Sequence, residues 1–213
     1  KPAFNDLFSK SYAINILSAA RFFLFGARYV WFVVALPVFL DMAFGWDYME
    51  IGLFLVAWVI GYGIVKASAP AIRKMWGQKE SPDRKAIQFW SAVLMVIPSL
   101  IGVALWRESS PSIAIILGLT IFGFVFAMNS STHSYMILAY SDNEKVSLNV
   151  GFYYMANAAG RLVGTLLSGL QFMIGRNPSI GFQYCLYFSS LLILLSWISS
   201  LELPSFKQGL SAP

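Results

Sequence analysis

"RFFLFGARYVWFVVALP", Arg21 to Pro37, is apolar and aromatic except for Arg21 and Arg28, and it contains no acid. Apolar residues at this density read as membrane helix, because crossing a hydrocarbon core of about 30 Å takes roughly 20 such residues. A guanidinium at the centre of a bilayer costs about 2.5–3.5 kcal/mol by insertion scales, so each arginine needs a physical reason to be there.

The rest of the chain extends the reading. Its 213 residues are 58% hydrophobic and 12% charged, whereas soluble domains carry about 25% charged residues. About six apolar runs reach spanning length, at approximately Tyr12–Leu40, Tyr48–Ala69, Ala86–Trp106, Ser112–Tyr140, Leu148–Ile174 and Gly181–Leu201. Backbone groups in lipid must be bonded within their own segment, and the runs lack the alternation of barrel strands. The expected fold is all-α: a polytopic membrane protein of six transmembrane helices. The outer connections are short. The inner loop from Pro70 to Lys85 is longer and charged, and ends in the turn signal Ser81-Pro82-Asp83; it is expected to form a short surface helix and a turn.

A net charge of +5 raises nucleic acid as a partner, but the bases fall at alternate loops. With both ends cytoplasmic, Lys1, Lys10, Arg73, Lys74, Lys79, Arg84, Lys85, Lys145 and Lys207 lie inside and only Arg107 and Arg176 outside. That distribution orients a protein in a lipid bilayer and leaves nucleic acid without support. Cys185 is the only cysteine, so the chain builds no internal disulfide or thiolate metal site, and no metal or cofactor is expected. An opening of Lys1-Pro2 without a signal peptide suggests the later part of a longer polypeptide.

Polar residues away from span ends concentrate in the first, fourth and fifth spans, which are expected to face the bundle interior; the second, third and sixth are expected toward lipid. Arg21 and Arg28 stand two helical turns apart on one face. Arg28 is mid-span, while Arg21 is close enough to the inner end to snorkel. The string "NVGFYYMANAAGRLVGTLLSG" places Tyr153, Asn157, Arg161 and Thr165 at four-residue spacing, a polar stripe with Arg161 near mid-depth. Beside it, Gly160, Gly164 and Ser168 have the small-xxx-small pattern of close helix packing. The fourth span contributes Asn129, Ser130, Ser131, Thr132, His133 and Ser134. His133 is the only histidine, read either as a neutral, hydrogen-bonded core residue or as a proton relay. Lys66, near the inner end of the second span, reads as a snorkelling lysine.

All ten Asp and Glu lie at span ends or in loops, so none is placed to neutralise Arg28 or Arg161 at mid-depth. An anionic solute would fill that role, because phosphate and carboxylate match the planar fork of arginine. The candidate binding set is Arg28, Arg161, Asn157, Tyr153, Asn129 and Arg21. A non-catalytic membrane subunit would instead pair the arginines permanently with acids of a partner. An intramembrane enzyme would need Ser130 within bonding reach of His133, yet both are on one helix.

The span pattern, with "FLFGARYVWFVVALPVFL", "WVIGYGIVKASAP" and "FAMNSSTHSYMILAYSDNEKVSLNVGFYYMANAAGRLVGTLLSG", resembles the C-terminal six helices of a major facilitator superfamily transporter. More narrowly it is similar to the ArsJ-type organoarsenical efflux permeases of bacterial arsenic-resistance operons, over essentially the whole chain. The resemblance implies a permease of about twelve helices in the bacterial inner membrane, with residues 1–213 as its second half. The cavity would be faced by the first, second, fourth and fifth spans and completed by an N-terminal six-helix half. It implies export of 1-arseno-3-phosphoglycerate, a multiply charged anion, and so a functional link to a glyceraldehyde-3-phosphate dehydrogenase. Two features depart from that pattern: Tyr29 stands after the deep arginine where an acid is common, and only Asp83-Arg84-Lys85 matches the superfamily's loop motif, at the wrong end of the loop.

Overall fold

The computed structural model describes residues 11–78, 80–107, 111–141 and 146–204. Lys1, Lys10, Lys79, Lys145 and Lys207, and the acids Asp6, Glu108, Asp142 and Glu144, lie outside the described residues. Every element among the described residues is a helix: α1 (Tyr12–Phe32), α2 (Ala35–Phe44), α3 (Tyr48–Met75), α4 (Arg84–Trp106), α5 (Pro111–Ala139), α6 (Val146–Ile174) and α7 (Pro178–Leu201).

The first expected span is not one helix. Pro37 has no amide proton, and its ring crowds the carbonyl four residues back, at Val33. The helix accordingly breaks at Val33–Val34 and resumes as α2. The Ala35 N–H, deprived of a regular partner inside α1, donates to Ser168 Oγ on α6 at 3.2 Å. Ser168 thereby satisfies a backbone group that lipid could not. α2 runs on to Phe44, beyond the expected Leu40, and ends at Gly45, whose φ of +68° turns the chain into α3.

The connection from Pro70 to Lys85 also differs from expectation. No separate surface helix forms among the described residues; α3 continues through Pro70 to Met75, and α4 starts after Asp83, whose Oδ1 accepts the Ala86 N–H at 3.1 Å. Pro70 frees the carbonyl of Lys66 from its helical bond, a cost one end of a long helix can absorb. Five segments are long and apolar enough to cross a membrane: Tyr12–Phe44 taken through its break, α3, α4, α5 and α7. The fifth expected span appears as α6, a helix of 29 residues. It is not among those five, because Asn149, Asn157, Arg161, Thr165 and Ser168 dilute its apolar character.

Going round the bundle, the packed neighbours run α3, α5, α4, α7, α1, α6, while α3 and α6 make at most marginal contact with each other. A face is thus left open between α3 and α6, with α1 and α5 beneath it. Aromatic residues fill the core under that face: Trp31 meets Phe122 edge to face at 5.0 Å, and Phe122 stacks on Phe126 at 5.6 Å. α1 and α6 approach closely at their small residues. A Cβ on Gly160 would overlap the carbonyl of Phe22, and one on Gly164 would fall 2.5 Å from the carbonyl of Gly26.

Replacing Gly160 by Val should therefore force α1 and α6 apart and cost about 1–3 kcal/mol or more, read as a lower thermal midpoint of the purified protein. Gly151→Ala, where a Cβ meets nothing within 4 Å, should leave the midpoint unchanged or slightly higher.

Candidate functional site

The open face gathers cations. Arg28, on α1, is 7% exposed. Its Cζ lies over the rings of Phe32 at 4.8 Å, Trp58 at 4.9 Å, Tyr62 at 5.0 Å, Tyr29 at 5.5 Å and Phe126 at 5.7 Å. These rings come from α1, α3 and α5. Each contact is worth about 0.5–2 kcal/mol, the upper end applying where water is excluded. Several together offset the cost of placing the guanidinium there without cancelling its charge.

The cradle is itself braced. Trp58 Nε1 donates to the Leu119 carbonyl at 2.8 Å, and the indole passes over Gly123, where a Cβ would sit 3.1 Å from it. Tyr62 stacks parallel to Trp58 at 5.9 Å and donates its hydroxyl to Ser130 Oγ at 3.3 Å. Ser130 also accepts from Arg21 Nη1, at 3.0 Å through Oγ and 3.3 Å through its carbonyl. Arg21, only 1% exposed, does not snorkel to the inner headgroups: its Cζ lies 4.0 Å from the Phe25 ring and 5.0 Å from that of Tyr153. Arg21 and Tyr153 thus form a buried joint of α1, α5 and α6 underneath the open face.

The stripe expected on α6 divides. Asn149, Tyr153, Asn157, Gly160, Gly164 and Ser168 are buried together, whereas Arg161 is exposed and Thr165 Oγ1 donates back to the Arg161 carbonyl at 3.0 Å. The reason is the pitch of the helix: eight residues at about 100° each leave Arg161 about 80° away from Tyr153. Arg161 is the member that reaches the arginine of α1, through Tyr29, whose ring lies 4.6 Å from its Cζ. Asn157, one turn before it, is 9% exposed, and its Oδ1 has no partner among the described residues.

Asn129 does not join this group. It is fully buried and donates to Ser91 Oγ on α4 at 3.0 Å, which assigns it to the α4–α5 seam. His133 is also fully buried, one turn from Ser130 and within the field of Arg21, and neither ring nitrogen has a hydrogen-bond partner among the described residues. Thr132 and Ser134 return to the helix carbonyls of Met128 and Ser130.

Sequence reasoning missed the aromatic cradle. By polarity α3 was expected toward lipid with Lys66 at the headgroups, whereas the family resemblance put this second span at the cavity. α3 turns Trp58 and Tyr62 onto Arg28, and Lys66, half-buried, follows Tyr62 one helical turn on. The available signal was spacing, since Trp58, Tyr62 and Lys66 recur every four residues on one helix face.

The acids that are described sit elsewhere. Asp47 and Glu50 cap α3 reciprocally at 2.8 and 2.9 Å, Asp83 caps α4, and Glu202 accepts the Tyr12 hydroxyl at 2.8 Å. Among the described residues, no carboxylate pairs with Arg21, Arg28 or Arg161, and no cluster of His, Cys, Asp or Glu could hold a metal. The arrangement is suited to attracting negative charge.

These features define an all-helical protein with several helices fit to span a membrane and a cationic face that no carboxylate among the described residues neutralises. Compared with known protein families and with curated proteins, the chain matches none.

Ser130→Ala would leave a buried guanidinium proton and the Tyr62 hydroxyl without their shared side-chain acceptor. Thermal or denaturant unfolding should report a loss of about 1–3 kcal/mol, with little effect expected from Thr120→Ala, whose hydroxyl only bonds its own helix.

Proposed function

We propose that this chain is the C-terminal six-helix half of a major facilitator-type permease that exports an anionic organoarsenical, 1-arseno-3-phosphoglycerate, across the bacterial inner membrane. The observation that carries the reading is the meeting of Arg28 and Arg161 at the Tyr29 ring, beside a face left open between α3 and α6, without a carboxylate among the described residues. Cations held by ring faces keep their full charge for a solute. A compact, multiply charged anion is the ligand class such a site favours, because each guanidinium fork offers two parallel bonds to phosphoryl, arsonyl or carboxyl oxygens.

In this mechanism the anion enters from the cytoplasm and binds at Arg28 and Arg161, with Asn157 beside them and Lys66 contributing charge. The six-helix half then rocks against an N-terminal partner half to expose the solute outside. Both ends of this segment face the cytoplasm. Arg21 and Tyr153 hold the floor of the site, and Asn129 ties α5 to α4. His133, buried beside Arg21, is the titratable residue of this chain best placed for a proton step. Removing the solute as it forms would connect the exporter to a glyceraldehyde-3-phosphate dehydrogenase that uses arsenate.

A second reading within the same class is a permease for another organic anion or phosphate ester, favoured equally by the cationic face. Competition by 3-phosphoglycerate and by arsenate separates the two. The intramembrane-enzyme alternative is disfavoured by Ser130, whose Oγ is engaged by Arg21 and Tyr62.

Everted vesicles containing the full-length protein should lose uptake of the arsenylated glycerate by tenfold or more with Arg28→Ala or Arg161→Ala. That loss corresponds to about 1.4 kcal/mol or more of binding or barrier. Undiminished uptake at normal protein levels would remove the anion-site reading. Lys66→Gln should raise KM for the solute. His133→Gln should abolish stimulation by a proton gradient, and intact stimulation would rule out His133 as the relay.

A further inference from the structure

Tyr29 occupies a position that the anion-site reading leaves without a role. It follows Arg28 on α1, so its side chain leaves the helix about 100° round from that of Arg28 and toward α6. Its Cβ packs at the bare backbone of Gly164, where an added Cβ would come within 3.0 Å of it. From there the ring reaches Arg161 of α6, whose Cζ is 4.6 Å from the centroid, while the Cζ of Arg28 is 5.5 Å from the same centroid. One neutral ring therefore touches two guanidinium groups from different helices.

Two like charges on adjacent helices repel, and the charge of Arg161 does act on Arg28. A carboxylate between them would hold both, but it would also consume the charge an anionic ligand needs. An aromatic quadrupole attracts both cations and adds no negative charge. We propose that Tyr29 is a positioning residue that holds Arg28 and Arg161 together as a pair and leaves both charges available to an anion. This rests on the anion-site reading and adds to it how the pair is kept assembled. It also gives Gly164 a purpose beyond helix packing, since a larger residue there would push the ring away from Arg161.

The test is a double-mutant cycle on the full-length purified protein, with 3-phosphoglycerate and inorganic phosphate as the probes, titrated calorimetrically. Tyr29→Leu keeps bulk and removes the ring quadrupole, and should weaken binding about tenfold, whereas Tyr29→Phe should restore it to within about twofold of wild type. In an Arg161→Gln background, Tyr29→Leu should add less than about twofold, because the ring would have lost the cation it positions. Tyr29→Met serves if the leucine variant does not fold, as judged by its thermal midpoint. Wild-type affinity in Tyr29→Leu, an undiminished effect in the Arg161→Gln background, or a phenylalanine variant as impaired as the leucine one would each overturn the positioning role alone. Wild-type protein that binds neither probe would instead overturn the anion-site reading, and the positioning role with it.

Discussion

Among the described residues, the guanidinium of Arg28 is stabilised by ring faces and not by a carboxylate, and the interior of the bundle is organised around that difference. A charge taken out of water must gain enough interaction to stay where it is. A carboxylate would supply that interaction and neutralise the charge. Rings from α1, α3 and α5 supply it in smaller portions and leave the charge in place. Among the described acids, Asp47, Glu50 and Asp83 cap backbone N–H groups at helix N-termini, and Glu202 accepts the Tyr12 hydroxyl.

Holding an uncompensated cation requires rigid walls, because a ring that drifts by a few ångströms loses its contact. Trp58 is fixed by the Leu119 carbonyl and the bare surface of Gly123, Tyr62 by its stack on Trp58 and its bond to Ser130, and Ser130 in turn by Arg21. The buried arginine thus supports the one above it through a serine and a tyrosine. On the other side, Gly160 and Gly164 bring the backbone of α6 against α1, close enough for Arg161 to meet Tyr29. The break after Phe32 is absorbed in the same seam, where Ser168 receives the freed amide of Ala35.

The residues that converge were recognisable by type before their positions were known. Arg28 and Arg161 stand out in any apolar segment, and the lack of acids at mid-depth is plain from the chain. The α3 aromatics were harder to see, because aromatics in an apolar run have an ordinary explanation. Asn129, Tyr153 and the arginines were grouped on polarity alone; the helices turn Asn129 toward Ser91 and pair Tyr153 with Arg21, the deeper arginine of that set.

The amino-acid sequence by itself determined the helical class, most helix boundaries and the confinement of the acids to span ends and loops. These are local properties: apolar length selects a helix that bonds its own backbone, and Pro, Gly and capping acids mark where it stops. Only the tertiary structure decided which polar side chains share one surface. That depends on how each helix is rotated about its axis, which is set by close contact of small residues and interlocking rings across helices. A pitch of 3.6 residues carries a four-residue stripe steadily round the axis, so that Tyr153 is buried under the floor while Arg161, on the same helix, emerges at the open face.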